Sequence, residues 1–242
     1  MATSIDTFVS HFHEVLSRFG ELPNEPILVV LKKLGLAAAI DGMSKVSPLH
    51  DSKFPRERFV AFIRRFSGWG DCERISLPHL EQALSQDTRP EFEEMRRHVK
   101  GLLTSWPSSP SGPLAIACDP MPDQLVALWP RKDASFEKLA NVKHERFRHV
   151  HLLYSSRNFL AHELREGSWH TITGDATFPH YSYTKIESTV SPRERWLLYY
   201  PVEFFSSLAA NCLVKLEEWL RVEHIDPYER RRFGDFFLEQ LN

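Results

Sequence analysis

Residues 154–167 read YSSRNFLAHELREG. They close an apolar helical segment, yet Arg157, Asn158 and His162 fall within six positions of one another. At 100° per residue Asn158 and His162 share one helix face. Arg157 stands about 140° from His162, and its long stem can bring the guanidinium back across. Leu152, Leu153, Phe159, Leu160 and Leu164 supply apolar packing beside them. The pattern predicts three polar groups gathered at one end of a packed helix.

Spacing alone is weak. R-x-x-x-x-H occurs four times, at Arg74/His79, Arg146/His151, Arg157/His162 and Arg165/His170. The first pair contains Pro78 and the last runs through Gly167, so neither sits on a continuous helix. Arg146/His151 has no asparagine after the arginine. Only the third pair reads R-N-x-x-x-H.

Working outward, a helix from about 136 to 165 leads into this stretch and ends at Gly167. Before it, residues 107–122 (PSSPSGPLAIACDPMP) hold five prolines, which no helix interior tolerates. A short helix is expected around 123–129. After it, residues 168–200 change period: WHTIT, HYSYTKI and RWLLYY are rich in β-branched and aromatic residues and predict two or three short strands with one hairpin. Pro201 then opens a helix over VEFFSSLAANCLVKLEEWLRVE.

The first 106 residues read as helices. Residues 4–19 carry Ile5, Phe8, Val9, Phe12, Val15, Leu16 and Phe19 at three- and four-residue spacings, with Ser4 suited to the N-cap. A second helix over 27–40 is apolar on most sides, with Gly42 following its end. Residues 54–70, 76–84 and 89–106 complete the set, the last with acidic residues early and basic ones late, as the helix dipole prefers. The expected fold is mainly α: a helical bundle in the C-terminal half carrying a small β-hairpin insert, plus an additional helical N-terminal half. The sequential division is 1–106, a Pro/Ser-rich connection at 107–135, and 136–242 with the insert at about 168–200.

The chain has 242 residues and a formal charge of −2, which argues against a globally basic nucleic-acid coat and makes any such site local. Cys72, Cys118 and Cys212 are far apart, so neither a disulfide framework nor a Cys-rich zinc site is expected, and a reducing cytoplasm is the natural compartment. MATSIDTFVSHFHEVLSRF lacks the basic start and apolar run of a signal peptide. ILVVL (27–31) and LGLAAAI (34–40) are split by Lys32 and Lys33, so neither is expected to span a bilayer. His11/His13 and His149/His151 point to different helix faces and predict no metal site. ERRRF (229–233) reads as a solvated face. The six Trp residues read as packing, and no P-loop, G-x-G-x-x-G or G-x-S-x-G is present.

SSRNFLAHELREG resembles the R-x-x-x-x-H signature of HEPN domains (higher eukaryote and prokaryote nucleotide-binding), in the RN form. The resemblance runs from about Lys143 to near Glu223 and takes YYPVEFFSSLAANCLVKLEEWL as the helix behind the motif. It leaves out the first 106 residues, and the strand-rich insert departs from a plain bundle. It implies a homodimeric helical bundle acting as a metal-independent RNA endonuclease in antiviral defence or a toxin–antitoxin system, without a cofactor. Arg157 and His162 would be catalytic and Asn158 supporting, and an antitoxin or regulatory partner is implied as well.

The chemistry is sound on its own terms. RNA is cut when its 2′-OH loses a proton and attacks the adjacent phosphorus. Histidine can take or give that proton, and a planar arginine can hold the phosphate bidentately. Asparagine can orient the imidazole or touch the phosphate or ribose. Acid and base roles need two groups, which a twofold dimer would supply. Lys143, Arg146 and Arg148, expected on the same helix, suit backbone contact, and Tyr154 suits stacking on a base. The motif also has a structural reading, with Arg157 paired to a glutamate such as Glu163 and His162 a satisfied helix-end histidine. Two readings without catalysis stand beside the ribonuclease. In the first, the helical module binds RNA or a protein silently through the same dimer surface. In the second, residues 1–106 recognise a partner and the C-terminal half only dimerises.

Overall fold

The computed structural model describes residues 3–48, 52, 54–107, 112–130, 137–164, 176–186 and 193–230. It is mainly helical with a small antiparallel sheet. Two compact units emerge, and neither follows the sequential division at 107–135. One comprises Met1–Trp69, Ser156–Glu166 and Val202–Asn242, the other Gly70–Ser155 and Gly167–Pro201.

The first unit is a helical bundle. It contains α1 (Ser4–Glu21), α2 (Pro26–Ser44), α3 (Pro55–Phe66), the last residues of α7 (His149–Glu163), α8 (Val202–Val222) and α9 (Pro227–Arg230). The N-cap of α1 is Thr3, one residue before the expected Ser4. Its hydroxyl accepts from Asp6 N at 3.1 Å while Asp6 Oδ2 accepts from Thr3 N at 2.8 Å, a capping box. Asp6 also receives Arg221 Nη2 at 2.6 Å. That guanidinium, with the Thr3 donors, lowers the Asp6 pKa to about 2.

α2 is buried on most sides, as its composition requires: Val30, Leu36, Ala37, Ile40 and Met43 are core residues. It runs to Ser44, so Gly42 lies inside it rather than after its end. Gly35 admits the Phe19 ring, since a Cβ there would stand 2.1 Å from it. α8 packs against α1, α2 and α3, burying Phe205, Leu208, Leu213, Leu216 and Leu220. Each such side chain contributes about 1.5–3 kcal/mol. α3 stops where Gly68 turns left-handed at φ 68°, a backbone state glycine adopts freely.

Among the described residues, the second unit holds α4 (Leu77–Gln86), α5 (Glu93–Thr104), α6 (Pro122–Val126), five short strands and the first half of α7. β4 (His180–Ile186) and β5 (Arg193–Tyr199) form the expected hairpin, pairing Tyr181 with Leu198 and Tyr183 with Trp196. WHTIT (169–173) lies outside the described residues. β1 (Leu114–Ala115) adds to β4 from within the proline-rich connection, and two residues carry no period by which to foresee it. Trp106 packs on Tyr181 and Trp196, both at 5.2 Å between ring centroids.

The helix expected from 136 begins only at His149. Before it, β2 (Lys138–Leu139) and β3 (Val142–Lys143) pair through a tight turn in which Ala140 and Asn141 adopt φ 46° and 66°. This is the primed geometry that two-residue hairpins favour. Asp87 Oδ2 accepts from Ala140 N at 3.2 Å and Arg89 Nη2 donates to Lys138 O at 2.7 Å. These distant groups satisfy backbone that a helix would otherwise have claimed. At its other end α7 stops at Glu163 with Leu164 left-handed at φ 48°, ahead of the expected stop at Gly167. Among the described residues no helix is long and apolar enough to cross a membrane.

Candidate functional site

The last turns of α7 lie in the first unit and carry Arg157, Asn158 and His162. Arg157 Nη1 donates to Asn158 Oδ1 at 3.2 Å, and its Nη2 donates to Asp41 Oδ2 on α2, also at 3.2 Å. Two contacts on two nitrogens hold the guanidinium plane at a defined angle. The Asn158 amide oxygen thus accepts from the arginine, and its N–H donors are not part of that contact. His162 is exposed in the final turn of the helix.

Asp41 is itself held from behind. Its main-chain carbonyl accepts from Ser44 Oγ at 2.6 Å, and Ser44 Oγ accepts from Arg58 Nε at 3.2 Å. Arg58 Nη2 stands 3.8 Å from Asp41 Oδ1, an ion pair too long for a hydrogen bond. Accordingly Asp41 Oδ1 is buried without a hydrogen-bond donor. The side chains of Asp41 and Arg58 are 14% and 12% exposed, and that of Arg157 is 22% exposed. The arginine predicted from the motif is thus the outermost of the three. Its chain neighbourhood predicts a glutamate such as Glu163 as a partner; the structure shows Asp41, 116 positions away, in contact with it.

The residues assigned to RNA contact all belong to the second unit. Tyr154 is buried, so its ring is not offered to a base. Arg148 gives Nη1 to Glu73 Oε2 at 2.6 Å, while its Nε is buried without an acceptor. Arg146 is half-buried in the 3-10 turn His144–Phe147, with Nη1 likewise lacking an acceptor. Lys143 is exposed at the end of β3. None of the three cations lies on α7, because the helix starts after them.

The second unit contains a buried polar network that the sequence did not announce. The Asp119 carboxylate accepts from Leu77 N (3.0 Å) at the start of α4, from Tyr181 OH (2.5 Å) and from His149 Nε2 (2.7 Å). Ser76 Oγ lies 2.8 Å from Tyr181 OH and 2.7 Å from His79 Nδ1. Each hydroxyl has a single proton, and Tyr181 gives its proton to the carboxylate. The order is then His79 Nδ1–H to Ser76, Ser76 O–H to Tyr181, and Tyr181 O–H to Asp119. Burial, reinforced by His149, lowers the His79 pKa to about 4, against the pull of Asp119. Burial first, and the Asp119 charge second, raise Tyr181 and Tyr200 well above the usual phenol value. Asp119, His149, Ser76, Tyr181 and Tyr200 are all buried. Serine, histidine and aspartate meet here without the order of a hydrolytic triad, since Ser76 faces His79 while Asp119 faces His149. The network ties α4, the segment after β1, α7 and β4 together.

Among the described residues no cluster of three or more His, Cys, Asp or Glu is arranged to hold a metal ion. The chain matches no family model, and neither curated proteins nor solved structures show a detectable similarity to it.

Proposed function

We propose that this protein is a metal-independent RNA endonuclease of HEPN type, acting as a homodimer in bacterial antiviral defence or a toxin–antitoxin system. The observation that carries the reading is the end of α7. A solvent-exposed His162 follows, within the same helix end, an arginine whose guanidinium is oriented by Asn158 and Asp41. The imidazole takes the proton of a ribose 2′-OH, whose oxygen then bonds to the adjacent phosphorus. The bond from phosphorus to the 5′-oxygen breaks, and a second imidazole, from the partner copy, protonates the leaving oxygen. Arg157 stabilises the charge gathering on the phosphoryl oxygens. The products are a 2′,3′-cyclic phosphate and a 5′-hydroxyl.

A second reading is favoured by the Arg157–Asp41 contact itself. An arginine already paired to a carboxylate can serve packing, leaving a silent module that binds RNA or protein. Incubation of the purified chain with RNA in EDTA, beside Arg157→Ala and His162→Ala, separates the two. The nuclease cuts, leaves cyclic ends and loses cutting in both variants. The silent module retards RNA in a gel without cutting it, and that result retires the nuclease reading.

A further inference from the structure

Asp41 is the one carboxylate of α2, set near the C-terminal end of a helix whose buried residues are mostly apolar. Burying a charge there is costly unless it is paired, and the pairing runs outward to Arg157 and inward to Arg58. The exposures order the group: Arg58 and Asp41 lie deeper, Arg157 lies nearer solvent. The carboxylate meets Arg157 through one oxygen, while its main-chain carbonyl is tied to Ser44 and Ser44 to Arg58. A lone arginine has four rotatable side-chain bonds and samples many directions. This one is gripped at Nη1 by its own helix and at Nη2 by another.

Resting on the ribonuclease reading, we propose that Asp41 is a positioning residue for Arg157, with Ser44 and Arg58 as its support. Asp41 touches no substrate. It fixes the plane and reach of the guanidinium before a phosphate arrives, so that no reorientation is needed as charge develops.

The test compares the full chain with Asp41→Asn, Asp41→Glu and His162→Ala, cutting an unstructured RNA in EDTA. Asp41→Asn keeps the shape and removes the charge. It is expected to lower kcat about 10- to 100-fold with KM changed less than about threefold. Asp41→Glu, which keeps the charge, is expected to recover part of the loss. In parallel, the Arg157 Nε–H signal, identified by its absence from Arg157→Lys, is expected to gain fast motion in Asp41→Asn. A merely structural aspartate would not loosen that one side chain in a variant that stays folded. If Asp41→Asn fails to fold, the kinetics and arginine dynamics of Asp41→Glu decide the matter. Wild-type kcat with an unchanged Arg157 signal overturns the proposal, and so does tighter RNA binding by Asp41→Asn, which would make the carboxylate a competitor of the phosphate. Failure of the nuclease reading looks different: the wild type does not cut, or His162→Ala cuts as well as the wild type.

Discussion

Asp119 Oδ2 and His149 Nε2 meet at 2.7 Å with both side chains wholly out of solvent. The aspartate takes two further donors, Leu77 N and Tyr181 OH, so three elements of the second unit converge on one carboxylate. Breaking such a buried pair by removing one partner costs about 3–5 kcal/mol, because the other group is left buried and unsatisfied. Asp119→Ala is therefore expected to lower stability by that amount. Urea unfolding followed through Trp fluorescence would check it, with Trp106 lying against Tyr181 as the reporter. A loss below about 1 kcal/mol would show that the network is incidental.

The same network predicts how stability depends on pH. His79 has a folded-state pKa near 4 against an ordinary 6.5, so between those values the unfolded chain binds a proton that the folded chain refuses. Stability from this group is complete above pH 6.5 and is lost as pH falls toward 4, by at most about 3 kcal/mol. Thermal unfolding scanned from pH 7 to 4 should show the decline. His79→Gln, which cannot charge, should flatten it. An equally steep profile in that variant would move the cause elsewhere.

Gly35 offers a packing test in the first unit. A Cβ there would stand 2.1 Å from the Phe19 ring, so alanine must push the ring aside. Overpacking costs about 1–3 kcal/mol, partly offset by about 1 kcal/mol of better helix propensity. Gly35→Ala should be destabilised by about 1 kcal/mol, and adding Phe19→Leu should recover part of it. Additive effects in the double mutant would deny that the two positions meet.

Arg157→Lys separates charge from shape. A lysine keeps the cation but offers a compact point charge in place of a planar fork, so it cannot repeat the geometry that joins Asn158 and Asp41. On the ribonuclease reading, cleavage should fall about 10²-fold or more while RNA retention changes little. Cleavage by the lysine variant near the wild-type rate would mean that the plane of the guanidinium is unimportant.

The elements that periodicity revealed were those whose partners are close in sequence or whose apolar faces repeat without interruption. α1 and α3 showed their stripes, and HYSYTKI and RWLLYY coincide with β4 and the bulk of β5. The segment 137–148 misled because its mixture of charged and apolar residues is compatible with a helix. Its hairpin is fixed by an amide bonded to Asp87 and a carbonyl bonded to Arg89. Gly42 misled in the opposite sense. A glycine often ends a helix, but packing on both sides carries α2 through it to Ser44.

By itself the sequence determined a mainly helical chain with one β-hairpin, and it singled out Arg157, Asn158 and His162, because helical spacing is a local property. Tertiary structure decided what surrounds them. It brought Asp41, Ser44 and Arg58 to the arginine, buried Tyr154, and gathered Ser76, His79, Asp119, His149 and Tyr181 into one hydrogen-bonded chain. Apart from the local pairs Asp41/Ser44 and Ser76/His79, those groups lie tens to more than a hundred positions apart. Their meeting follows from which apolar faces pack together, and no short window of sequence contains that information.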